Sequence, residues 1–435
     1  SPRAARAVAA SGGGGGGGEK ESTCESDIHW AWDNTYTADL PADPEAGNFV
    51  RQVANASYSL VDPTPLAAPV LLAVSADAAA LLGWGEAETS SPSFLAALSG
   101  SQVPLGATPF AHAYGGHQFG DWAGQLGDGR AISLGELEGV RKTRWELQLK
   151  GAGKTPYSRS GDGRAVLRSS IREFLASEAM DALGVPTTRA LSLVADAGPR
   201  SVLRDPFYDG RFANETAAVV ARLAPSWVRF GDFELLARRG DLELLGRLVD
   251  HVVRRHYPHL PRGAGAAAGL LGQVAGRTGR LVARWMSLGF SNGVLNTDNM
   301  SVLGLAIDFG PFGFLDAFDP NSTPNTSDDE GRYRHSEQPK IAQWNLERLA
   351  EALSPQLEAS GPAATRRALA NFTREYAAEW ATQCRAKLGL LWTELPSDPA
   401  LAESLLEAMA TAGADFTNTW RALAGLARSG AAGEL

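Results

Sequence analysis

Gly289-Phe290-Ser291-Asn292-Gly293-Val294-Leu295-Asn296-Thr297-Asp298-Asn299-Met300-Ser301-Val302-Leu303-Gly304-Leu305-Ala306-Ile307-Asp308-Phe309-Gly310 gathers two carboxylates and three carboxamides around a short apolar run that ends in Asp-Phe-Gly. Oxygen donors at this density suit a hard divalent cation, which takes one or two ligands from protein and the rest from phosphates and water. Asn299 and Asp308 can each supply one oxygen. Asp298 is then left for acid/base work.

Outward from this stretch the chain divides by pattern. After Asp232 it reads as mainly helical: Phe233 to Arg254, Leu270 to Leu288, Asn345 to Leu353, Pro362 to Leu388 and Leu401 to Leu426 carry apolar residues at helical spacing. Before it, Thr108 to Gly153 is glycine-dense, with strand-like runs at Ala131 to Leu134 and Trp145 to Leu149. Leu167 to Leu183 puts Leu167, Ile171, Phe174, Leu175, Ala179, Ala182 and Leu183 on one helical face and stops at Gly184-Val185-Pro186. Strand-like segments return at Arg189 to Ala195, Ser201 to Leu203 and Ala217 to Leu223, while residues 61–100 read as short helices between proline turns, with Val70 to Leu82 among them. A sheet with one helix, followed by a helical half, predicts an α+β bilobal architecture. The expected divisions are a low-complexity start (1–29), an N-terminal extension (30–107), a sheet-containing N-lobe (108–230) and a helical C-lobe (231–435).

At 435 residues with 44% hydrophobic and 20% charged, the chain can bury two or three sizeable cores. The 40 basic against 49 acidic residues, a net −9, argue against nucleic-acid binding by phosphate neutralisation, so any phosphate chemistry must be met by a local cluster of bases. No run reaches the roughly 18 apolar residues of a membrane span. Cys24 and Cys384 are too few for a disulfide framework or a Cys/His zinc site. Residues 1–18 contain Arg3 and Arg6, no acid, and seven glycines from Gly12 to Gly18, which reads either as the end of an organelle transit peptide or as a disordered linker.

Bases and glycines cluster in the sheet region. Gly127-Asp128-Gly129-Arg130 would let backbone N–H groups approach a phosphate with no Cβ in the way, or would simply turn a hairpin. Gly151-Ala152-Gly153-Lys154-Thr155 is not a P-loop, because the required first glycine is Gln148. Lys150 instead ends a strand-like run from which its ammonium can reach a triphosphate, and Glu173 on the next helix can orient it, as in the lysine–glutamate pair of protein kinases. Ser158-Arg159-Ser160-Gly161-Asp162-Gly163-Arg164, with Arg222 and Arg229, supplies forked donors that suit an anion. Asp298-Asn299 followed by Asp308-Phe309-Gly310 matches the kinase metal site in roles but not in spacing, since kinases place the Asp and Asn five residues apart. Taken alone, Asp308 has a second, lesser reading as a turn-former. His251, His256 and His259 read as a polar helix end rather than a metal site.

Together these motifs resemble selenoprotein O, a family of kinase-like protein adenylyltransferases. The resemblance rests on Tyr114 to Gly120, Gln125 to Arg130, Leu147 to Arg159, Arg168 to Met180, Asn296 to Asp316 and Gln338 to Leu346, and runs from about residue 30 to 430. It implies a bilobal protein-kinase-like fold that binds ATP in a flipped orientation and passes AMP to Ser, Thr or Tyr hydroxyls of protein substrates, with pyrophosphate leaving. By the same resemblance the active-site aspartate is Asp298, and Mg²⁺ or Mn²⁺ falls on Asn299 and Asp308. The nucleotide contacts fall on Gly127, Gly129, Arg130, Lys150, Asp162, Gly163, Arg222 and Arg229, with Glu173 partnering Lys150. A mitochondrial monomer without a membrane span is the expectation. Two departures stand out: Asn292 replaces the family's usual histidine, and the chain stops at Leu435, short of the family's C-terminal segment where many eukaryotic members carry selenocysteine. The rival readings are ordinary phosphoryl transfer and a catalytically silent nucleotide-binding pseudokinase.

Overall fold

Among the described residues, the strand-forming runs before residue 225 build one eight-stranded antiparallel sheet and two separate two-stranded ladders. The computed structural model describes residues 28–198, 202–205, 209–390, 392 and 394–429. Residues 1–27, with Cys24 and the transit-peptide or linker expectation, lie outside the described residues, as does Ser201. The strands in chain order are β1 (Tyr58–Leu60), β2 (Pro69–Val74), β3 (Phe110–His112), β4 (Gly115–Gln118), β5 (Asp121–Gln125), β6 (Ala131–Glu138), β7 (Arg144–Lys150), β8 (Ala165–Val166), β9 (Arg189–Asp196), β10 (Val202–Arg204), β11 (Ala213–Glu215) and β12 (Ala217–Ala224). The main sheet runs β1-β3-β6-β7-β12-β9-β2, with β8 also on β12, so the segment 30–107 contributes two of its strands.

Helices α1 (Thr35–Asp39), α2 (Ala76–Leu81), α3 (Glu86–Thr89), α4 (Pro92–Leu98) and α5 (Leu167–Ala182) accompany the sheet. Every residue of β12 is buried because both sheet faces are covered. Ala218 and Val220 cluster with Leu167 and Phe174 of α5, whereas Val219 and Ala221 cluster with Phe94, Ala97 and Leu98 of α4. The run Val70 to Leu82, expected as helix, is split: its first half pairs with β9, and the Ser75 hydroxyl then accepts from the Ala78 N–H at 3.1 Å to start α2. Sheet pairing has overridden local helical spacing there.

The second half is helical: α6 (Phe230–Arg239), α7 (Leu242–His256), α8 (Ala266–Leu288), α9 (Gln338–Ala352), α10 (Ser354–Leu357), α11 (Gly361–Leu388), α12 (Asp398–Ala412) and α13 (Phe416–Ser429), with a small ladder of β13 (Phe290–Ser291) and β14 (Gly313–Phe314). Two expected helices are each divided in two, at Gly240 and at Gly413, both in left-handed conformation (φ 75° and 59°), which ends a helix at little cost for glycine. The apolar run Met300 to Ile307 is not a strand. It contains a turn at Val302-Leu303 and makes isolated bridges, Arg229 to Ser301 and Thr187 to Ala306. A two-lobed α+β fold results, with one core inside the sheet lobe and a larger one in the helical lobe that also takes in Tyr36, Tyr58, Phe110 and Met180.

The C-lobe is centred on α8 against α11. Gly272, Gly276 and Gly279 each weaken α8 by about 1 kcal/mol relative to alanine, so their presence needs a packing reason. A Cβ on Gly279 would lie 2.5 Å from the Phe372 carbonyl oxygen of α11. The glycines therefore set the distance between the two helices. Gly279→Val is expected to force them apart and to destabilise the protein by about 1–3 kcal/mol, read as a lowered midpoint in urea denaturation.

Candidate active site

The site begins at the end of β7. Gln148 and Lys150 alternate onto one sheet face, and Arg222 of β12 lies directly opposite Gln148, so three polar side chains share the surface that α5 covers. Glu173 of α5 is buried against them. Its carboxylate lies 2.5 Å from Lys150 Nζ and 2.6 Å from Arg222 Nη1. Arg222 also donates to Gln148 Oε1 and stacks over the Trp227 ring at 4.2 Å. From the C-lobe, Asp308 Oδ1 accepts from Lys150 Nζ at 2.8 Å. Burial pushes the Asp308 carboxyl upward, but Lys150 and Arg222 outweigh it and hold the group well below the ordinary carboxylate range.

Asp298 sits in a single 3₁₀ turn, Thr297–Asn299. Its backbone carbonyl accepts from Arg229 Nη1 at 2.8 Å, and its Oδ2 accepts from Gln118 Nε2 at 3.2 Å. Burial, opposed by Arg229, lifts its pKa to about 6. Asn299 donates its amide nitrogen to the Val294 carbonyl at 2.9 Å, which leaves the amide oxygen as an acceptor. Asn292 forms a local turn, with its Oδ1 accepting from the Val294 N–H at 3.1 Å while its own N–H donates to Gln338 Oε1 at 2.8 Å.

Arg229 caps the start of α6, is 5% exposed, and stacks over Tyr114 at 4.5 Å with Asp128 3.5 Å away. Both Arg222 and Arg229 are thus hydrogen-bonded within the protein. The connector Gly127 to Arg130 is not a hairpin turn, since β5 and β6 lie in different sheets; the hairpin turn is Phe119-Gly120, between β4 and β5. Gly127 (φ 73°) and Gly129 let the connector lie on Tyr157, where added Cβ atoms would come within 2.4 Å and 2.8 Å of it. Asp162 pairs with Arg204 at 2.7 Å.

Gly127, Gly129, Arg130, Lys150, Asp162, Gly163, Arg222, Arg229, Asp298, Asn299 and Asp308 all line one cleft of about 980 Å³ between the lobes, with Glu173 just behind it. The same cleft is lined by Arg159 and Arg164 of the expected anion-binding stretch, and by Tyr114, Gln118, Asp128, Tyr157 and Arg204, which the sequence did not mark as site residues. Asp128 had a usable signal in its Gly-Asp-Gly setting. Gln118 and Tyr114 had none beyond membership of a glycine-rich run. Among the described residues, no group of three or more His, Cys, Asp or Glu is placed to hold a metal unaided, and no helix is long and apolar enough to cross a membrane.

A family model described as Protein adenylyltransferase SelO matches residues 46–433. A curated protein named Protein nucleotidyltransferase YdiU from Azoarcus sp. (strain BH72) is 54% identical over 395 residues, covering 90% of this chain and 75% of that protein. The protein of the same name from Rhodopirellula baltica is 50% identical over 400 residues, covering 90% and 73%. A solved structure described as ROP2 from Toxoplasma gondii, a virulence factor with a protein-kinase fold and no enzymatic activity, covers 69% of this chain and 87% of its own at 13% identity. Its TM-score of 0.28 is too low to bear on the fold.

Two consequences can be measured. Glu173→Ala would strand Arg222 beside Lys150 in a buried setting, and a loss of about 3 kcal/mol is expected by chemical denaturation. Behind Asp128, burial pulls the His112 pKa down, but Glu146 at 2.8 Å, with Asp128 and Asp232 beyond, raises it to about 9. A raised folded-state pKa gives stability that is complete below the unfolded value near 6.5 and is lost as pH climbs through about 9. The thermal midpoint should therefore fall between pH 7 and 9, and His112→Gln should flatten that fall.

Proposed function

Because the chain belongs to the SelO family of protein adenylyltransferases, we propose that it transfers AMP from ATP to Ser, Thr or Tyr hydroxyls of protein substrates in the cleft between its lobes. One observation carries this reading: the Lys150–Glu173–Asp308 cluster and the Asp298-Asn299 turn, far apart in sequence, open onto the same cleft.

In this reading the acceptor oxygen attacks the α-phosphorus, the bond from the α-phosphorus to the bridging oxygen breaks, and pyrophosphate leaves with that oxygen. Lys150, oriented by Glu173, and the Arg130, Arg222 and Arg229 guanidinium groups meet the charge that develops on the departing phosphates. Their positions are set before the nucleotide arrives, because each of Lys150, Arg222 and Arg229 is already held by protein partners. Asp298 takes the hydroxyl proton, and a pKa near 6 suits a base working close to neutral pH. Gly127 and Gly129 keep the connector flat at the cleft wall, and Asp162 and Gly163 close it from the neighbouring loop.

Asn299 and Asp308 fit a divalent cation by their chemistry: an amide oxygen and a carboxylate at one cleft, with too few protein donors to hold a metal without phosphate oxygens. Bound Mg²⁺ or Mn²⁺ would neutralise phosphate charge. The adjacency of Asp298 and Asn299 means that base and ligand come from one 3₁₀ turn.

The test is transfer to a protein acceptor from ATP labelled at either the α- or the γ-phosphate. Label is expected on protein only from the α-position, and Asp298→Ala should lower the rate by about 100-fold or more. Label arriving from the γ-position would establish phosphoryl transfer instead, and none from either would leave a silent nucleotide-binding protein.

A further inference from the structure

The β4–β5 hairpin belongs to neither the nucleotide-holding cluster nor the metal-ligating pair, yet its first strand is fastened to the Asp298 turn. The His117 N–H donates to Thr297 Oγ1 at 2.7 Å, and the Phe119 N–H donates to the Tyr333 hydroxyl at 2.8 Å. Tyr333 in turn donates to Asn296 Oδ1 at 2.5 Å. The start of the same strand lies against α6, where a Cβ on Gly231 would be 2.1 Å from the Gly115 carbonyl oxygen. Such fastening holds the hairpin in one place relative to Asp298.

Strand alternation then decides what faces the carboxylate. His117 turns to one side and pairs with Glu234. Gly116 and Gln118 turn to the other. A Cβ at Gly116 would be 2.9 Å from both Cβ and Oδ1 of Asp298, so Oδ1 lies against bare backbone. That oxygen is buried and has no hydrogen-bond partner. Oδ2 accepts from the Gln118 amide nitrogen, the opposite amide orientation being excluded because it would face two acceptors. Both Gln118 and Asp298 line the cleft.

We infer that Gln118 is a positioning residue for the transfer reaction: with Gly116 walling off Oδ1, it holds Oδ2 of Asp298 toward the cleft as the oxygen that receives the acceptor's proton. The inference rests on the AMP-transfer reading above. Oδ2 keeps a second lone-pair direction for the incoming hydroxyl while the Gln118 hydrogen bond fixes the plane of the carboxylate. Without that bond the carboxylate is free to rotate about its terminal torsion, which is broad and two-fold for aspartate. The base would then be misaligned for part of the time, while the nucleotide cluster around Lys150 would be untouched.

The experiment compares wild type, Gln118→Leu and Gly116→Ala in α-labelled AMP transfer, with KM for ATP and the ATP-induced rise in thermal midpoint measured on each. Gln118→Leu keeps the volume and removes the donor. It is expected to lower kcat by roughly 10- to 100-fold, the worth of one hydrogen bond to a charged group, with KM for ATP and the ATP-induced shift within about two-fold of wild type. Gly116→Ala should lower kcat in the same pattern by displacing the carboxylate. A Gln118→Leu protein with wild-type kcat, or one whose kcat and ATP binding fall together, would overturn the inference while leaving AMP transfer intact. A wild-type protein that transfers no α-label would overturn the functional reading itself and this inference with it.

Discussion

A single ammonium group joins three parts of the chain. Lys150 Nζ lies between Glu173 of the helix packed on the sheet and Asp308 of the helical lobe, 158 residues further along. Removing an ammonium and two carboxylates from water costs about as much as their attraction returns, so the cluster adds little net stability. Its effect is on position. With Glu173 also held by Arg222, the sheet, α5 and the segment bearing Asp308 are aligned at one point, and the cleft between the lobes takes its shape from that alignment.

A second hub lies at Arg229. Its guanidinium reaches the Asp298 carbonyl, approaches Asp128 and stacks on Tyr114, so one buried side chain relates the Asp298 turn to the wall of the sheet lobe. Around it the two aspartates of the opening motif diverge in acidity. Asp308 is held ionised by two cations, whereas burial raises Asp298 toward neutrality. Opposite shifts on two carboxylates that share a cleft suit different tasks, one as a charged ligand and the other as a proton acceptor.

Glycines occupy the places where backbone must approach something closely. Gly116 lies on Asp298, Gly127 and Gly129 on Tyr157, and Gly279 on the α11 backbone. Only the last of these concerns the core. The others thin the cleft wall, which allows the hairpin to lie against the Asp298 turn and the connector against Tyr157.

The sequence by itself determined the order of sheet and helices, the extent of α5 and α11 to within a residue or so, and the donors available near Asp298 and Asp308, because these depend on periodicity, stop signals and residue chemistry. It misled where distant pairing overrode local pattern: Pro69–Val74, within an expected helix, became an edge strand on β9. It was silent on Gln118, Tyr114 and Arg204, whose place in the cleft depends on how a hairpin and two loops fold over one another. Which oxygen of Asp298 accepts from Gln118, and whether Lys150 meets Asp308 at all, were decided only by tertiary structure. Those contacts are set by packing between segments more than a hundred residues apart, and no local spacing encodes them.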